Sequence, residues 1–565
     1  MKSNRLVVGL DYGTTYTGVS YCETSDTDAL GKEVEVVRDF PSARTQIGTK
    51  EKVPSEIAVD DYAQWGALIP SNVQRYKWTK LELDKVPSGE SIKISRELSE
   101  ATDRKPVEII ANFLSHVKEQ LIKNLDRQYG QAVWRTLPIT LVVTVPAVWS
   151  DAAKDSTLQA VRNAGFQQLS FPMLKRTILV TEPEAAAIYT IQSLRGSVQD
   201  QQFAIGDGFI VCDMGGGTVD LVSYRIAGLD PTALEEATIG NGDQCGGSFV
   251  ERGFLKWLER RLGTTDFIAI AGHKSEDLPR TSYSAKLSRM LQDFIFEAKS
   301  GFSGTEDNFL RLPPPVNAVV DDGPRDMQEM FEFPLRRTYE LLLEQMKQSR
   351  ISGKVQIKYV FMVGGFSESP YMFEKIKNFV EAHGLQAIRP AYAWSAIVRG
   401  AAVKGLEGDG RTPIKNRKCR RHYGTDCTSL FVSGKHREGD SYICPYTGGK
   451  RAANQMSWLL RKGQDLSTMA DSHASYSFVQ NFWQYEKRTA CMELLACDGD
   501  RAPQRCKDPV DLSGVPHSAF QIHTTFDGRR YYSLGFEVEI SVQSSLEFSF
   551  VVDGVRYGSV TAKYT

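Results

Sequence analysis

Two short stretches of the sequence place glycine and threonine next to aspartate, directly after apolar runs. The first is GLDYGTTYTGV at 9–19 and the second is VCDMGGGTVDLV at 211–222. Glycine allows backbone N–H groups to approach an anion with no Cβ in the way. The repeat therefore predicts two strand–turn–strand hairpins that hold a phosphate chain from opposite sides. The turn residues that carry this prediction are Gly13, Thr14, Thr15, Gly215, Gly217 and Thr218.

The aspartates of the two hairpins call for a different role. Asp11 and Asp213 would repel a phosphate, so we expect them to be partners of a hydrated Mg²⁺ that bridges phosphate oxygens. A plainer interpretation is that the glycines only make tight turns and that the aspartates are turn residues. The occurrence of two matching copies favours the phosphate site.

Composition narrows the class of protein. The chain has 565 residues, and its 68 basic and 69 acidic side chains give a formal net charge of −1. This balance gives no electrostatic reason to expect a nucleic-acid or membrane partner. The opening MKSNRLVVGLDYG has too short an apolar run for a signal peptide or an anchor, so we expect a cytoplasmic protein whose nine cysteines are free thiols.

The pattern of secondary-structure signals changes along the chain. Up to about residue 405, strand-like and helix-like runs alternate, which predicts an α/β domain with covered sheets over 1–405. A glycine, proline and basic segment suggests a linker at 406–421, and 422–565 reads as β-rich. Its end predicts two hairpins at Asp-Gly turns, and ANQMSWLLRKG at 453–463 is the main helical candidate there.

Four further segments make a resemblance specific. Together with the two hairpins, they resemble the signature blocks of the actin-like ATPase superfamily and, more narrowly, the 70-kilodalton heat-shock chaperone family. This resemblance implies a two-lobed actin-like fold made of duplicated ribonuclease H-like halves, which binds ATP or ADP with Mg²⁺. The segments are TVPAVWSDAAKDSTLQAVRNAGF (144–166), LVTEPEAAAIY (179–189), VFMVGGFSESPYM (360–372) and SAIVRGAAVKG (395–405).

The resemblance also implies roles for individual residues. Glu182 matches the family's glutamate that organises the metal's water shell and the attacking water, and Asp213 shares that work. Tyr16 completes the first phosphate loop, and Asp220 lies behind the second. The phosphate and adenosine contacts that the resemblance implies come from Thr14, Thr15, Gly215, Gly216, Gly217, Thr218, Glu297, Lys299, Gly364 and Gly365.

A cation should reach the transferred phosphate. The family takes a lysine from a segment that here resembles NVQRYKWTKLELD, in which Lys80 is the first choice, followed by Lys77 and then Arg75. Pro146 and Lys154 occupy the positions of a proline switch and a basic residue that pass the nucleotide state to the partner domain.

Some features depart from the family pattern. Glu368 stands where the main chaperones carry an arginine that stacks on adenine, and the spacing of Glu297 and Lys299 differs by one from the usual pair. The linker is basic, and no helical lid follows the β-rich segment. These features resemble the atypical branch related to heat shock 70 kDa protein 12, which has many fungal members.

Two classes of function follow. The first is an ATP-hydrolysing, chaperone-like switch whose C-terminal domain binds a polypeptide client according to nucleotide state, helped by co-chaperones or an exchange factor. The second is a nucleotide-sensing adaptor with little or no hydrolysis that docks one specific protein partner. A small-molecule kinase of the same superfamily is a third interpretation.

Overall fold

The fold is described from a computed structural model of the chain. It covers residues 4–23, 34–42, 50–70, 72–84, 104–194, 203–229, 232–279, 282–314, 319–353, 355–406, 414–436, 438–467, 473–486, 489–497, 504–511, 520–524, 529–542 and 546–561. Within these ranges, no helix is long and apolar enough to cross a membrane. The chain divides into two compact units, Met1–Pro413 and Ile414–Thr565.

The first half of the first unit is built on a mixed sheet. Its strands lie in the order β3-β2-β1-β7-β8, with β4 paired to β2, and β5 pairs with β6 separately. Strand β7 is buried along its whole length, which explains why its sequence ITLVVTV is apolar except for two threonines. The strands are β1 (Leu6–Tyr12), β2 (Tyr16–Glu23), β3 (Glu35–Val36), β4 (Val53–Pro54), β5 (Ile57–Ala58), β6 (Arg75–Tyr76), β7 (Ile139–Val145) and β8 (Leu174–Thr181).

The second half of this unit repeats that sheet. Its strand order, β11-β10-β9-β15-β16, is equivalent to the order β3-β2-β1-β7-β8 of the first half. In addition, β12 pairs with β10 as β4 pairs with β2. In both halves a hairpin is antiparallel and the next two pairings are parallel. The strands are β9 (Asp207–Met214), β10 (Val219–Leu229), β11 (Thr232–Glu236), β12 (Asn241–Asp243), β13 (Asn308–Arg311), β14 (Val319–Asp322), β15 (Gln356–Val363) and β16 (Gln386–Ile388).

Helices cover the sheets and close two apolar cores, one in each half. Helix α1 begins with proline at its first position, and α2 is capped by the Ser150 hydroxyl, so both starts are encoded locally. The helices are α1 (Pro106–Tyr129), α2 (Asp151–Asn163), α3 (Glu182–Leu194), α4 (Ser248–Leu262), α5 (Thr264–Ala271), α6 (Ala285–Asp293), α7 (Pro324–Ser352), α8 (Pro370–Ala382) and α9 (Ala396–Leu406). Short 3-10 turns span Thr79–Leu83, Trp134–Thr136, Gly365–Glu368 and Ala393–Ser395, and Phe294–Lys299 is a π-helical turn.

The second unit is β-rich, as its sequence predicts. One sheet has the order β19-β20-β18-β23-β24, another has the order β22-β26-β27-β28 with β25 on β26, and β17 pairs with β21. The strands are β17 (Ile414–Lys418), β18 (His422–Leu430), β19 (Ser441–Ile443), β20 (Lys450–Leu460), β21 (Asp465–Ser467), β22 (His473–Trp483), β23 (Thr489–Cys497), β24 (Gln504–Asp511), β25 (Phe520–Thr524), β26 (Arg530–Val542), β27 (Leu546–Val552) and β28 (Val555–Thr561). A 3-10 turn spans Glu438–Asp440.

Both predicted hairpins are present as paired strands in this unit. Strands β27 and β28 meet at Asp553 and Gly554, whose φ angles of 49° and 76° suit a two-residue hairpin turn. Strands β25 and β26 also pair, although the Asp-Gly turn between them lies outside the described residues.

The predicted helix ANQMSWLLRKG is wrong. Its residues 453–460 belong to strand β20, which hydrogen-bonds to β18 on one side and β19 on the other. Within this segment Asn454 adopts the left-handed region, at φ 56°, where the pairing with β18 is irregular. Pairing with strands that are distant in sequence overrides local helix preference here.

Candidate functional site

The two glycine–threonine turns face each other in the first unit. A Cβ placed on Gly216 would lie 2.2 Å from Thr15 Oγ1, and one on Gly217 would lie 2.7 Å from Thr14 Cγ2. The turns follow β1 and β9, the equivalent strands of the two halves. The folded chain therefore brings Gly13–Thr15 and Gly215–Thr218 to one place.

Backbone hydrogen bonds fix the shape of the second turn. The carbonyls of Gly215, Gly216 and Gly217 accept hydrogen bonds from the N–H groups of residues 247, 248 and 246, at 3.1, 2.8 and 3.1 Å. Gly215 N–H in turn donates to Thr218 O at 2.9 Å. The start of helix α4 thus holds the carbonyls of the turn on one side.

The segment after β15 packs onto the same turn. Gly364 has φ 84°, and a Cβ there would lie 2.5 Å from Asp213 Oδ1, so a larger residue would be both strained and in collision. Its neighbour Gly365 lies against Trp394, whose ring meets the Tyr16 ring edge-on at 5.7 Å. The predicted adenosine-loop glycines therefore lie next to Asp213 and Trp394.

Asp11 is buried between a lysine and a threonine. Lys52 Nζ donates to Asp11 Oδ2 at 2.6 Å, and Thr144 Oγ1 donates to Asp11 Oδ1 at 2.9 Å. Burial alone would raise the pKa of Asp11, but Lys52 and Lys80 outweigh it and hold that pKa below its ordinary value. Asp11 is therefore charged and compensated near pH 7.

Lys80 forms a buried ion pair with Glu182, the first residue of α3. Burial opposes the charge on Lys80, but Glu182 and Asp11 outweigh it and raise its pKa. Burial also raises the pKa of Glu182 to about 7, in spite of the opposing effect of Lys80. Two of the four residues that the sequence predicts to be catalytic, Lys80 and Glu182, are therefore in direct contact; Asp213 and Thr218 are the other two.

The other two candidate cations have different environments. Lys77 lies over the Tyr283 ring, with Nζ 4.7 Å from the ring centre. Arg75 is engaged with Glu56 at 3.0 Å and with the carbonyl of Pro70 at 2.6 Å. Of the three, Lys80 is the one that the described contacts place on a predicted catalytic carboxylate.

Asp213 and Asp220 lie opposite each other in the β9–β10 ladder, behind the glycine turn. Burial raises the pKa of Asp213 well above its ordinary value, and the carboxylates of Glu182, Asp220 and Asp11 raise it further. Burial likewise raises the pKa of Asp220 to about 6, although a hydrogen bond with Thr218 lowers it. Neither aspartate has a lysine or arginine partner among the ion pairs of the described residues.

The charge of this cluster suits a hydrated divalent cation. Four carboxylates, Asp11, Glu182, Asp213 and Asp220, share the site with Lys52 and Lys80, a formal charge of −2 when all are ionised. In the described part of the chain, no three carboxylate, thiol or imidazole groups lie close enough to hold a metal directly. Carboxylates that reach Mg²⁺ through its waters need no such direct cage.

The two predicted adenosine-clamp residues have different positions. Lys299 donates to the carbonyl of Gly247 at 2.7 Å and to Glu251 at 3.0 Å, beside the second turn. Glu297 is exposed on the same π-helical turn, and no described contact joins it to the other candidate residues. Of the two, only Lys299 therefore lies beside the second turn.

Glu368 has a structural contact in place of the stacking role that its position suggests. Its Oε1 accepts a hydrogen bond from the backbone N–H of Trp394 at 3.2 Å. It therefore ties the 3-10 turn Gly365–Glu368 to the turn Ala393–Ser395.

Sequence reasoning missed three residues of this site: Lys52, Thr144 and Trp394. Thr144 stands two residues before Pro146 in a run of apolar residues, and its polarity in a fully buried strand was the available signal. Lys52 and Trp394 gave no local signal, because their places depend on strand pairing and on the packing of the 393–395 turn.

Comparison with known proteins agrees with this architecture. The family model described as Hsp70 protein matches residues 71–415, more than half of the chain. Heat shock 70 kDa protein 12A of Homo sapiens is 24% identical over 518 residues, covering 77% of this chain and 74% of that protein. Heat shock 70 kDa protein 12B of Homo sapiens is 22% identical over 510 residues, covering 76% and 72%.

A bacterial relative matches over a shorter length. Chaperone protein DnaK of Mycoplasmoides gallisepticum is 25% identical over 423 residues, covering 72% of this chain and 61% of that protein. The duplicated sheets and the family match identify the first unit as an actin-like ATPase fold, followed by a β-rich C-terminal region. The chain belongs to the Hsp70 protein family, as an atypical member similar to heat shock 70 kDa proteins 12A and 12B.

Proposed function

We propose that this protein is a Mg²⁺-dependent ATPase whose nucleotide state controls polypeptide binding by its C-terminal domain. One observation carries the proposal: a buried set of four carboxylates and two lysines lies where two equivalent glycine–threonine turns meet. A structural ion-pair network alone does not account for the two aspartates that lack a cation in the described ion pairs. Buried carboxylates that make no direct ion pair at a turn of this kind are typical of a functional site.

Each candidate residue then has a role in binding or positioning. The hydroxyls and N–H groups of Thr14, Thr15 and Thr218, with Gly13 and the glycine triplet, would bind the β- and γ-phosphates. The part of the site that binds the nucleoside would be bordered by Tyr16, Gly364, Gly365 and Lys299. Asp220 would support Thr218 through their hydrogen bond. Glu297 would be a further residue of the nucleotide-binding site.

The chemical step is in-line attack of water on the γ-phosphate. Bound Mg²⁺ supplies neutralisation of the charge on the phosphate oxygens. Asp213 would hold the water shell of that ion from the second half, and Asp11 faces the same space from the first. Glu182 would orient the attacking water and accept its proton, because its raised pKa of about 7 suits a general base near neutral pH.

Lys80 would move between two partners during the cycle. In this structure its ammonium group is on Glu182. A bound γ-phosphate would draw it away and leave the carboxylate free to contact water.

The wider arrangement of the protein follows the same proposal. Residues 1–405 would form the ATPase domain, 406–421 a linker, and 422–565 the domain that binds a polypeptide client or one specific protein partner. Co-chaperones or an exchange factor would act on the cycle, in the cytoplasm, with Pro146 and Lys154 as the relay. The proposal includes no nucleic-acid or membrane partner.

A peptide-binding experiment tests the switch. Affinity for a panel of unfolded polypeptides would be measured with the full chain in ATP, in ADP and without nucleotide. The proposal predicts an affinity that differs at least about tenfold between ATP and ADP, since about 1.4 kcal/mol of coupling is typical of such linkage. Equal affinity in both states would exclude a nucleotide-controlled switch.

A second candidate function is a nucleotide-sensing adaptor that hydrolyses little. The observation in its favour is that Glu368 holds the Trp394 turn at the position of the family's adenine-stacking arginine. Such a site would bind nucleotide with altered contacts to the base. Nucleotide binding with no turnover over hours would favour the adaptor.

A further inference from the structure

A row of three residues crosses β1, β2 and the residue that precedes β4 at the first aspartate. Asp11 on β1 pairs with Gly18 on β2. Strands β2 and β4 pair at Tyr16↔Pro54 and Thr17↔Val53, so continuing this register by one residue sets Lys52 opposite Gly18. Directly opposite residues in antiparallel strands project to the same face. Asp11, Gly18 and Lys52 therefore share one face.

The missing side chain in the middle of this row makes room for the lysine. A Cβ on Gly18 would lie 3.2 Å from Lys52 Cγ and 3.4 Å from Lys52 Cε. The lysine stem thus runs over Gly18, and Nζ reaches Asp11 Oδ2 at 2.6 Å. Both side chains are buried, with 7% and 3% of their surfaces exposed.

The equivalent row of the second half has a different charge pattern. Asp213 pairs with Asp220, and Asp220 pairs with Gly242. The first row therefore reads aspartate, glycine, lysine, with a net charge of zero. The second reads aspartate, aspartate, glycine, with a net charge of −2 when both are ionised. The fold is duplicated, but its electrostatics are not.

We propose that Lys52 is a positioning residue that acts as a built-in cation at Asp11, so that the divalent metal associates with Asp213 rather than Asp11. This inference rests on the proposed nucleotide site and assigns its charges. Lys52 acts through Asp11. It holds the Asp11 carboxylate in place and neutralises its negative charge, so that less negative charge is left for the metal to neutralise. It also adds positive charge that attracts nucleotide without metal.

The consequence is measurable as the metal dependence of ADP binding. The quantity is the ratio of the ADP dissociation constant in EDTA to that in Mg²⁺, determined by calorimetry on the full chain. Without Lys52, the free carboxylate of Asp11 would repel metal-free ADP more than Mg-ADP. In Lys52→Met the ratio should rise at least about tenfold, which corresponds to about 1.4 kcal/mol. A merely structural role would weaken both affinities alike.

Two further variants make the test specific. Lys358→Met removes a lysine paired with Asp207 at 2.6 Å, at the start of β9 and outside the cluster, and should leave the ratio unchanged. The double variant Lys52→Met with Asp11→Asn removes one charge of each sign and avoids the buried, unpaired carboxylate that could unfold the single variant. Its ratio should return to within about threefold of the wild-type ratio, about 0.7 kcal/mol.

The outcomes separate this inference from the proposed function. A wild-type protein that binds neither ADP nor ATP would refute the proposed function itself. If the wild type binds nucleotide and the ratio in Lys52→Met is unchanged, the role of Lys52 is refuted while the nucleotide site stands. A ratio in the double variant far below the wild-type value would show that Asp11 is a metal partner and would refute the role of Lys52. The double variant gives this answer even if the single variant does not fold.

Discussion

An alanine at position 400 is expected to force two helices apart at the centre of the first unit. Gly400 lies in α9 where this helix crosses α3, and a Cβ there would be 1.9 Å from the carbonyl oxygen of Ala185 and 2.5 Å from its carbonyl carbon. The atoms in collision belong to the backbone of Ala185, which is fully buried, so the collision cannot be relieved by rotating a side chain into solvent. An unstrained carbon–oxygen contact is about 3.3 Å, so the helices must separate locally by about 1 Å or more.

The energetic cost can be bounded from known substitutions. Overpacking of a buried contact costs about 1–3 kcal/mol, and a clash with backbone belongs at the upper end. Alanine gains about 1 kcal/mol over glycine in a helix interior, which offsets part of this cost. The free energy of unfolding should therefore fall by about 2 kcal/mol in Gly400→Ala. Because α3 begins at Glu182, the same displacement should slow ATP hydrolysis.

The assay is urea unfolding followed by far-ultraviolet circular dichroism, with ATP turnover measured on the same samples. Gly301→Ala is the control, because Gly301 is the last helical residue after the π-helical turn Phe294–Lys299 and a Cβ there meets nothing within 4 Å. This control should be neutral or up to about 1 kcal/mol more stable, with unchanged turnover. Equal stability of the two variants would refute the close crossing of α3 and α9.

Two further predictions concern the charged site. Lys80→Met is expected to slow single-turnover ATP hydrolysis at least about 100-fold by removing the cation from Glu182 and from the phosphate; a larger loss in Lys77→Met would move the catalytic role to Lys77. Because the folded-state pKa of Asp220 is raised to about 6, the folded protein binds this proton more tightly than the unfolded chain, and stability contributed by Asp220 is lost as pH rises from about 4 to 6. In the absence of nucleotide, the stability of Asp220→Asn relative to the wild type should therefore rise between about pH 4 and pH 6 and stay higher above pH 6, by up to about 3 kcal/mol in urea unfolding. A stability difference that is independent of pH would contradict the raised pKa.

Much of the fold could be predicted because its signals are local. The two hairpins of the first unit follow from apolar runs that stop at glycine–threonine turns, and the β27–β28 hairpin follows from the turn at Asp553 and Gly554. The predicted helix at 453–463 is wrong, because pairing of β20 with β18 and β19 decided its conformation.

The sequence suggests candidate site residues, whose roles stay predictions, but it does not indicate their contacts. Lys80 and Glu182 are 102 residues apart, so nothing local to either indicates that they pair. Lys52 was missed because its approach to Asp11 depends on the register of β2 with β4 and on the missing side chain of Gly18. The compensation of the Asp11 charge by Lys52 can be recognised only when the pairing of the strands is known.

The central claim is that the carboxylates and the glycine turns make a Mg²⁺-dependent ATPase. The most direct measurement is single-turnover hydrolysis of labelled ATP with and without Mg²⁺, combined with an ADP titration, for the wild type and Asp213→Asn. The account predicts turnover that requires Mg²⁺ and falls at least about 100-fold in Asp213→Asn, with ADP affinity reduced less than about tenfold. Turnover that persists in Asp213→Asn, or equal loss of turnover and ADP affinity, would contradict it.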